Sequence, residues 1–75
     1  MINQQTTKLY SVGYFQARLT RHAIEAVGGE ATDDAIVDTC SAYFYDLISQ
    51  DDEQYQQFYG GVLKFLEDEN SRRFI

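Results

Sequence analysis

"TDDAIVDTCSAYFYDLIS", residues 32–49, decides the fold. Thr32 suits a helix N-cap, because its hydroxyl accepts a backbone N–H that the first turn leaves unpaired. Asp33 and Asp34 follow, where the helix dipole favours negative charge. Behind that start, Ile36, Cys40, Tyr43 and Leu47 recur at steps of three and four, and Val37, Phe44 and Ile48 widen the stripe. A stripe this broad predicts a helix over 33–49 that packs against more than one neighbour.

Upstream, Gly28-Gly29 marks the stop of an earlier helix, since glycine tolerates the left-handed cap conformation. That helix is expected over 13–27. Val12, Phe15, Leu19, Ala23 and Ala26 share one face and read as its core stripe. Ala17, Ile24 and Tyr10 form a weaker apolar line on the far side. Arg21 and Glu25 are spaced for an i,i+4 ion pair worth a few tenths of a kcal/mol. Residues 1–11 lack a strong period, and a flexible arm, a helical lead-in and a short strand all fit them.

Downstream, "DDEQYQQFYGG", residues 51–61, opens a third helix over 51–69. Ser49 or Asp51 caps it, and Asp51, Asp52 and Glu53 suit its first turn. Tyr55, Phe58, Val62, Phe65 and Leu66 align on one face, with Tyr59 at its edge and Asp52, Glu53 and Gln56 pointing elsewhere. Gly60-Gly61 costs about 2 kcal/mol relative to two alanines. The apolar period crosses the pair without a phase break, which predicts a continuous helix; a kink or a split there is the alternative. Gly61 flanks the stripe, a place where glycine would permit close approach of another backbone. Arg72 and Arg73 follow near the helix's negative pole, and Phe74-Ile75 forms an apolar tail. The expectation is a single all-α domain, a small three-helix bundle. The complete lack of proline in 75 residues agrees with uninterrupted helices.

The net charge is −6, unevenly placed. Residues 1–29 carry Lys8, Arg18 and Arg21 against Glu25, whereas residues 30–69 carry eleven acids against Lys64 alone. Such a body repels nucleic acid and anionic membranes and attracts basic partners. No apolar run approaches the roughly 18 residues of a membrane span. The N-terminus lacks the basic-then-apolar layout of a signal peptide. A cytoplasmic protein is expected. Cys40 is the only cysteine, which rules out an internal disulfide and a cysteine-based zinc site.

Chemistry is hard to find. His22 and Glu25 provide two metal ligands at most, fewer than a structural zinc site takes. His22 is expected to border the core stripe of the first helix. Cys40 sits mid-stripe, where a free cysteine acts as a small hydrophobe rather than a nucleophile. Asp33, Asp34, Asp51, Asp52 and Glu53 occupy first turns, where the dipole favours their ionised forms rather than the raised pKa of a general acid. The calcium-loop, phosphate-loop and nucleophile-elbow patterns fail. No cofactor or metal and no enzymatic activity are expected. The first two helices and their turn have the layout of a helix-turn-helix, but the second helix would bring Asp33, Asp34, Asp38 and Asp46 against phosphates, which excludes direct DNA reading. The chain resembles acyl carrier proteins in length, acidity and helical content, yet has "TDDAIVD" where their Asp-Ser-Leu attachment motif would stand.

A surface remains. Asp34 and Asp38 stand one turn apart, about 6 Å, close to the spacing of successive phosphates on a DNA strand. Tyr45 projects beside them, opposite the second helix's stripe, and Tyr14 lies on the Arg18/Arg21 side of the first. Asp34, Asp38, Tyr45, Asp52 and Glu53 are the candidate partner-binding residues, with Asp33, Asp46, Asp51, Glu67, Asp68 and Glu69 extending the array. In composition rather than motif, the layout resembles small acidic anti-restriction or host-takeover proteins of phages. That resemblance implies an inhibitor or DNA mimic directed at a basic or nucleic-acid-binding protein. A homodimer is a second expectation, because a marginal core and surplus apolar faces are completed by another copy. A small-ligand or acyl carrier, or an enzyme accessory subunit, is the alternative function.

Overall fold

Each boundary between helices is closed by the residues that predict it. The computed structural model describes the backbone of residues 2–73 and the side chains of residues 8–72. Helix α1 spans Ile2–Ala26, α2 spans Asp33–Leu47 and α3 spans Asp52–Arg73, with no strand among the described residues. The protein is an all-α three-helix bundle. α1 stops in a Schellman turn: the Gly28 N–H donates to the Glu25 carbonyl (3.0 Å) and the Gly29 N–H to that of Ile24 (2.9 Å). Gly28 sits at φ +81°, which its missing Cβ allows. Thr32 caps α2 by accepting the Ala35 N–H at 3.1 Å. Asp51 caps α3 through Oδ1, which accepts from Glu53 N–H (2.8 Å) and Gln54 N–H (3.3 Å).

Three boundaries differ from expectation, one of them the end of α3, which reaches Arg73 instead of residue 69. Residues 2–11 continue α1 as a helical lead-in rather than a strand. α2 ends at Leu47, before Ser49, because the N–H groups of Ile48 and Ser49 both turn back onto the Phe44 carbonyl (2.9 and 3.1 Å). Leu47, the last residue of α2, is 72% exposed instead of central to the stripe. α3 runs unbroken through Gly60-Gly61. The Phe74-Ile75 tail lies outside the described residues.

The core is aromatic. Phe44 of α2 and Phe58 of α3 are fully buried with ring centroids 5.0 Å apart, joined by Ile36, Cys40, Val62, Phe65 and Leu66. Burying each large side chain stabilises the fold by roughly 1.5–3 kcal/mol. The buried α3 residues are those its periodicity selects. Cys40 lies 3.6 Å from the Thr20 hydroxyl, and burial pushes its thiol above the ordinary range, as suits an inert core residue.

α1 turns the other way from its expected orientation. Phe15 and Leu19 are 57% and 62% exposed, and Ala23 and Ala26 face solvent. Gly13, Ala17 and Thr20 are buried instead, with Ile24 half-buried beside them. The reason is backbone proximity. A Cβ on Gly13 would overlap the Phe58 carbonyl oxygen and lie 2.9 Å from its carbon. A Cβ on Gly61 would overlap the Tyr10 carbonyl oxygen and lie 2.8 Å from the Tyr14 nitrogen. Each glycine thus meets the carbonyl three residues before the other. The most extensive helix pairing in the bundle, α1 on α3, is built on this crossing. Only a face of small residues fits there, so the larger Phe15 and Leu19 stay outside. The large rings of α2 and α3 fill the interior around the small face.

Candidate protein-binding surface

The polar contacts divide the twelve acids into two groups. Four meet cations, and two of them, Asp68 and Glu69, also reach across the α1–α3 seam. Glu69 pairs with Arg21 across the seam and with Arg72 at 3.0 Å, and Arg21 Nε lies 3.5 Å from Glu25. Lys64 Nζ lies 3.2 Å from Asp68 and 3.5 Å from Glu67. Tyr14 completes the seam: its ring stacks edge-on against Phe65, and its hydroxyl donates to Asp68 Oδ2 at 2.8 Å. Tyr14 is therefore a half-buried tie between helices rather than a free interface ring. Asp68 and Glu69 are therefore not part of an open acidic array, while Glu67 is exposed and meets only Lys64.

This seam predicts a pH dependence. The Tyr14 hydrogen bond and then Lys64 hold the Asp68 carboxyl below its ordinary 3.8. A depressed carboxylate contributes stability above its unfolded pKa and loses it as pH falls through the folded one. The same bond raises the Tyr14 phenol above 10.0, so its contribution is full below that value and is lost as pH rises further. Melting temperature should be flat between about pH 5 and pH 9 and fall on both sides. Tyr14→Phe should lower the plateau and converge on the wild type in acid. A constant gap between the two curves from about pH 2 to pH 7, followed by circular dichroism, would rule out this linkage.

The other eight acids are Glu30, Asp33, Asp34, Asp38, Asp46, Asp51, Asp52 and Glu53, and residues 30–53 contain no lysine, arginine or histidine. All eight are exposed, and none pairs with a cation among the described residues. Asp34 and Asp38 stand on the solvent side of α2, away from buried Ile36, Cys40 and Phe44. Asp52 and Glu53 occupy the first turn of α3. Tyr45 joins the two helices: its hydroxyl donates to Asp52 Oδ1 at 3.0 Å, and its ring stacks on Tyr55 at 5.0 Å. Tyr45 is half-buried and leans towards α3 instead of standing free beside Asp38. Desolvation and the Asp52 carboxylate raise its phenol above 10.0, so it stays neutral and donating at physiological pH. Tyr55 continues the column onto Tyr59 at 5.6 Å and exchanges a 2.6 Å hydrogen bond with Ser41. The tyrosine column braces the α2–α3 end that carries the acids, a role that helical projection of each helix alone does not reveal.

Clefts open on the surface of the described residues. One of about 530 Å³ lies at the α1–α2 turn against Glu25, Glu30 and Asp33; another of about 330 Å³ lies beside Tyr14, Arg18, Arg21 and Glu69. Charged groups line both. His22 is exposed beside the second cleft rather than bordering the core. Among the described residues no three His, Cys, Asp or Glu side chains converge to hold a metal ion, and no helix is long and apolar enough to cross a membrane. No family model, curated protein or solved structure matches the chain.

Proposed function

We propose that this chain is a non-enzymatic acidic protein-binding module whose α2 and first turn of α3 engage a basic surface. A nucleic-acid-binding protein is the partner that best fits such chemistry, and the module would inhibit it by occupying the site for phosphates. One observation carries the reading: eight exposed carboxylates crowd residues 30–53 without a cation, while the four elsewhere are paired. Like charges held together in solvent repel, and a partner's lysines and arginines relieve that repulsion without desolvating a buried ion pair. Stacked Tyr45, Tyr55 and Tyr59 keep the acid-bearing ends of α2 and α3 in a fixed relation, so the charges present a pattern and not only a sum. Asp34, Asp38, Asp52, Glu53 and Tyr45 are the residues assigned to contact.

Affinity capture from lysate with the tagged chain, followed by mass spectrometry, tests this. Basic nucleic-acid-binding proteins should be retained at about 50 mM salt and released by several hundred millimolar, as surface charges are screened. Asp34→Lys/Asp38→Lys should abolish retention with the helical signal unchanged. Duplex DNA should compete for the captured protein. Retention that ignores both salt and the double reversal would defeat the proposal.

A further inference from the structure

We infer that the cleft between α1 and the last turn of α3 binds a small phosphate ester. The chain has six lysines and arginines, and three of them, Arg18, Arg21 and Arg72, line this one cleft of about 330 Å³. His22, the only histidine, stands with them, and Glu69 is the single carboxylate in the lining. In a protein of net charge −6 the cleft has the opposite sign to the rest of the surface. Packing makes it so. Arg18, Arg21 and His22 share one face of α1 at steps of three and four, and Arg72 arrives from the end of α3.

Glu69 does not cancel this charge. It meets Arg21 through Oε1 and Arg72 through Oε2 at 3.0 Å, so one carboxylate holds two guanidinium groups in a fixed relation. Glu25 lies 3.5 Å from Arg21. Three arginines against these two carboxylates leave one positive charge. Arg18 carries it, because among the described residues it pairs with no carboxylate. Most of the donors are free as well. A guanidinium has five N–H groups. Arg21 and Arg72 each make one hydrogen bond to Glu69, and Arg21 Nε is buried without one, a donor left unmet.

The wall and the donors suit a phosphoryl group. Phe65 is buried and Tyr14 half-buried, their rings 5.6 Å apart, which gives the cleft an apolar side. Low-dielectric walls concentrate the field of the cations beside them. A carboxylate is planar and is satisfied by one guanidinium fork. Arginines converging from two helices match the several oxygens of a tetrahedral anion, and a phosphomonoester carries about −1.5 to −2 at neutral pH. The volume stands at the low end of the roughly 300–1,000 Å³ of ligand sites, which fits a small ester. The cleft shares no residue with the acidic surface of α2 and the start of α3, so either proposal stands if the other fails.

Titration with inorganic phosphate, followed by backbone amide NMR with sodium chloride adjusted to constant ionic strength, tests this. Signals of residues 14–22 and 69–72 should shift and saturate, with a dissociation constant of about 1 mM. Arg18→Gln should weaken binding at least about fivefold and leave the fold intact, since Arg18 holds no internal ion pair. Arg18→Lys should recover only part of the loss, because it restores the charge without the fork. Lys8→Gln, outside the cleft, should leave binding unchanged. Shifts that never saturate or that spread over the whole surface, an affinity indifferent to Arg18→Gln, or equal binding of acetate would each overturn the assignment. So would a phosphoserine peptide that binds more than about tenfold tighter than inorganic phosphate, which would give the cleft to a phosphorylated protein instead.

Discussion

Gly61→Ala is expected to unfold the bundle or leave it barely folded, while Gly60→Ala, one residue away, should stabilise it. Both glycines sit inside α3, where alanine is the better helix former by about 1 kcal/mol. At position 60 that preference acts unopposed, because a new Cβ would rest 3.5 Å from the Tyr10 ring, an ordinary contact. At position 61 the Cβ would enter the Tyr10 carbonyl oxygen and press to 2.8 Å of the Tyr14 nitrogen. These are backbone atoms of another helix, so no rotamer change relieves the overlap; α1 and α3 must separate. Overpacking of this kind costs about 3 kcal/mol or more. A chain of 75 residues has a total stability of roughly 4–11 kcal/mol. Urea denaturation followed by circular dichroism should show the Gly60→Ala midpoint raised and the Gly61→Ala midpoint collapsed. Gly13→Ala should resemble Gly61→Ala, since its Cβ meets the Phe58 carbonyl in the same way. Equal midpoints for the two α3 variants would mean the crossing is not tight.

Phe44→Ala is expected to destabilise the fold by about 3–5 kcal/mol, as truncation of a buried aromatic does. Phe15→Ala should leave monomer stability within about 0.5 kcal/mol, as surface substitutions do. Phe44 is fully enclosed and touches Tyr45, Tyr55 and Phe58 through ring contacts at 5.0–5.4 Å. Truncating it leaves a cavity that three neighbouring rings cannot close without losing their own contacts. Phe15 has an edge contact with Tyr14 and is 57% exposed. A loss of several kcal/mol in Phe15→Ala would return Phe15 to the core stripe that its spacing suggests.

That contrast shows how far local pattern reaches. α2 and α3 were legible because their buried sides are made of large apolar residues, and hydrophobic period counts such residues directly. Caps were legible because Thr32, Asp51 and Gly28 act on backbone groups one to three residues away. α1 was misleading because it has two apolar faces, and the one with more carbon is not the one buried. Gly13, Ala17 and Thr20 carry little hydrophobic weight; their value lies in what they lack, and that shows only against Phe58 and Tyr10 of the facing backbones. The acidic group was legible as charge, and so were its local pairs at three and four residues' spacing, but its ties between helices were not. Asp68 and Glu69 are within reach of Tyr14 and Arg21 only after α1 and α3 pack.

The sequence by itself determined three helices, the caps at Gly28, Thr32 and Asp51 and the acidic character of residues 30–53, since these follow from interactions between near neighbours and from the absence of any base in that stretch. Tertiary structure decided which side of α1 is buried, which carboxylates of α3 are also tied to α1 and where Tyr45 leans. Each of these depends on two helices meeting, and the decisive factor is the separation of two backbones, a distance that no single helix contains.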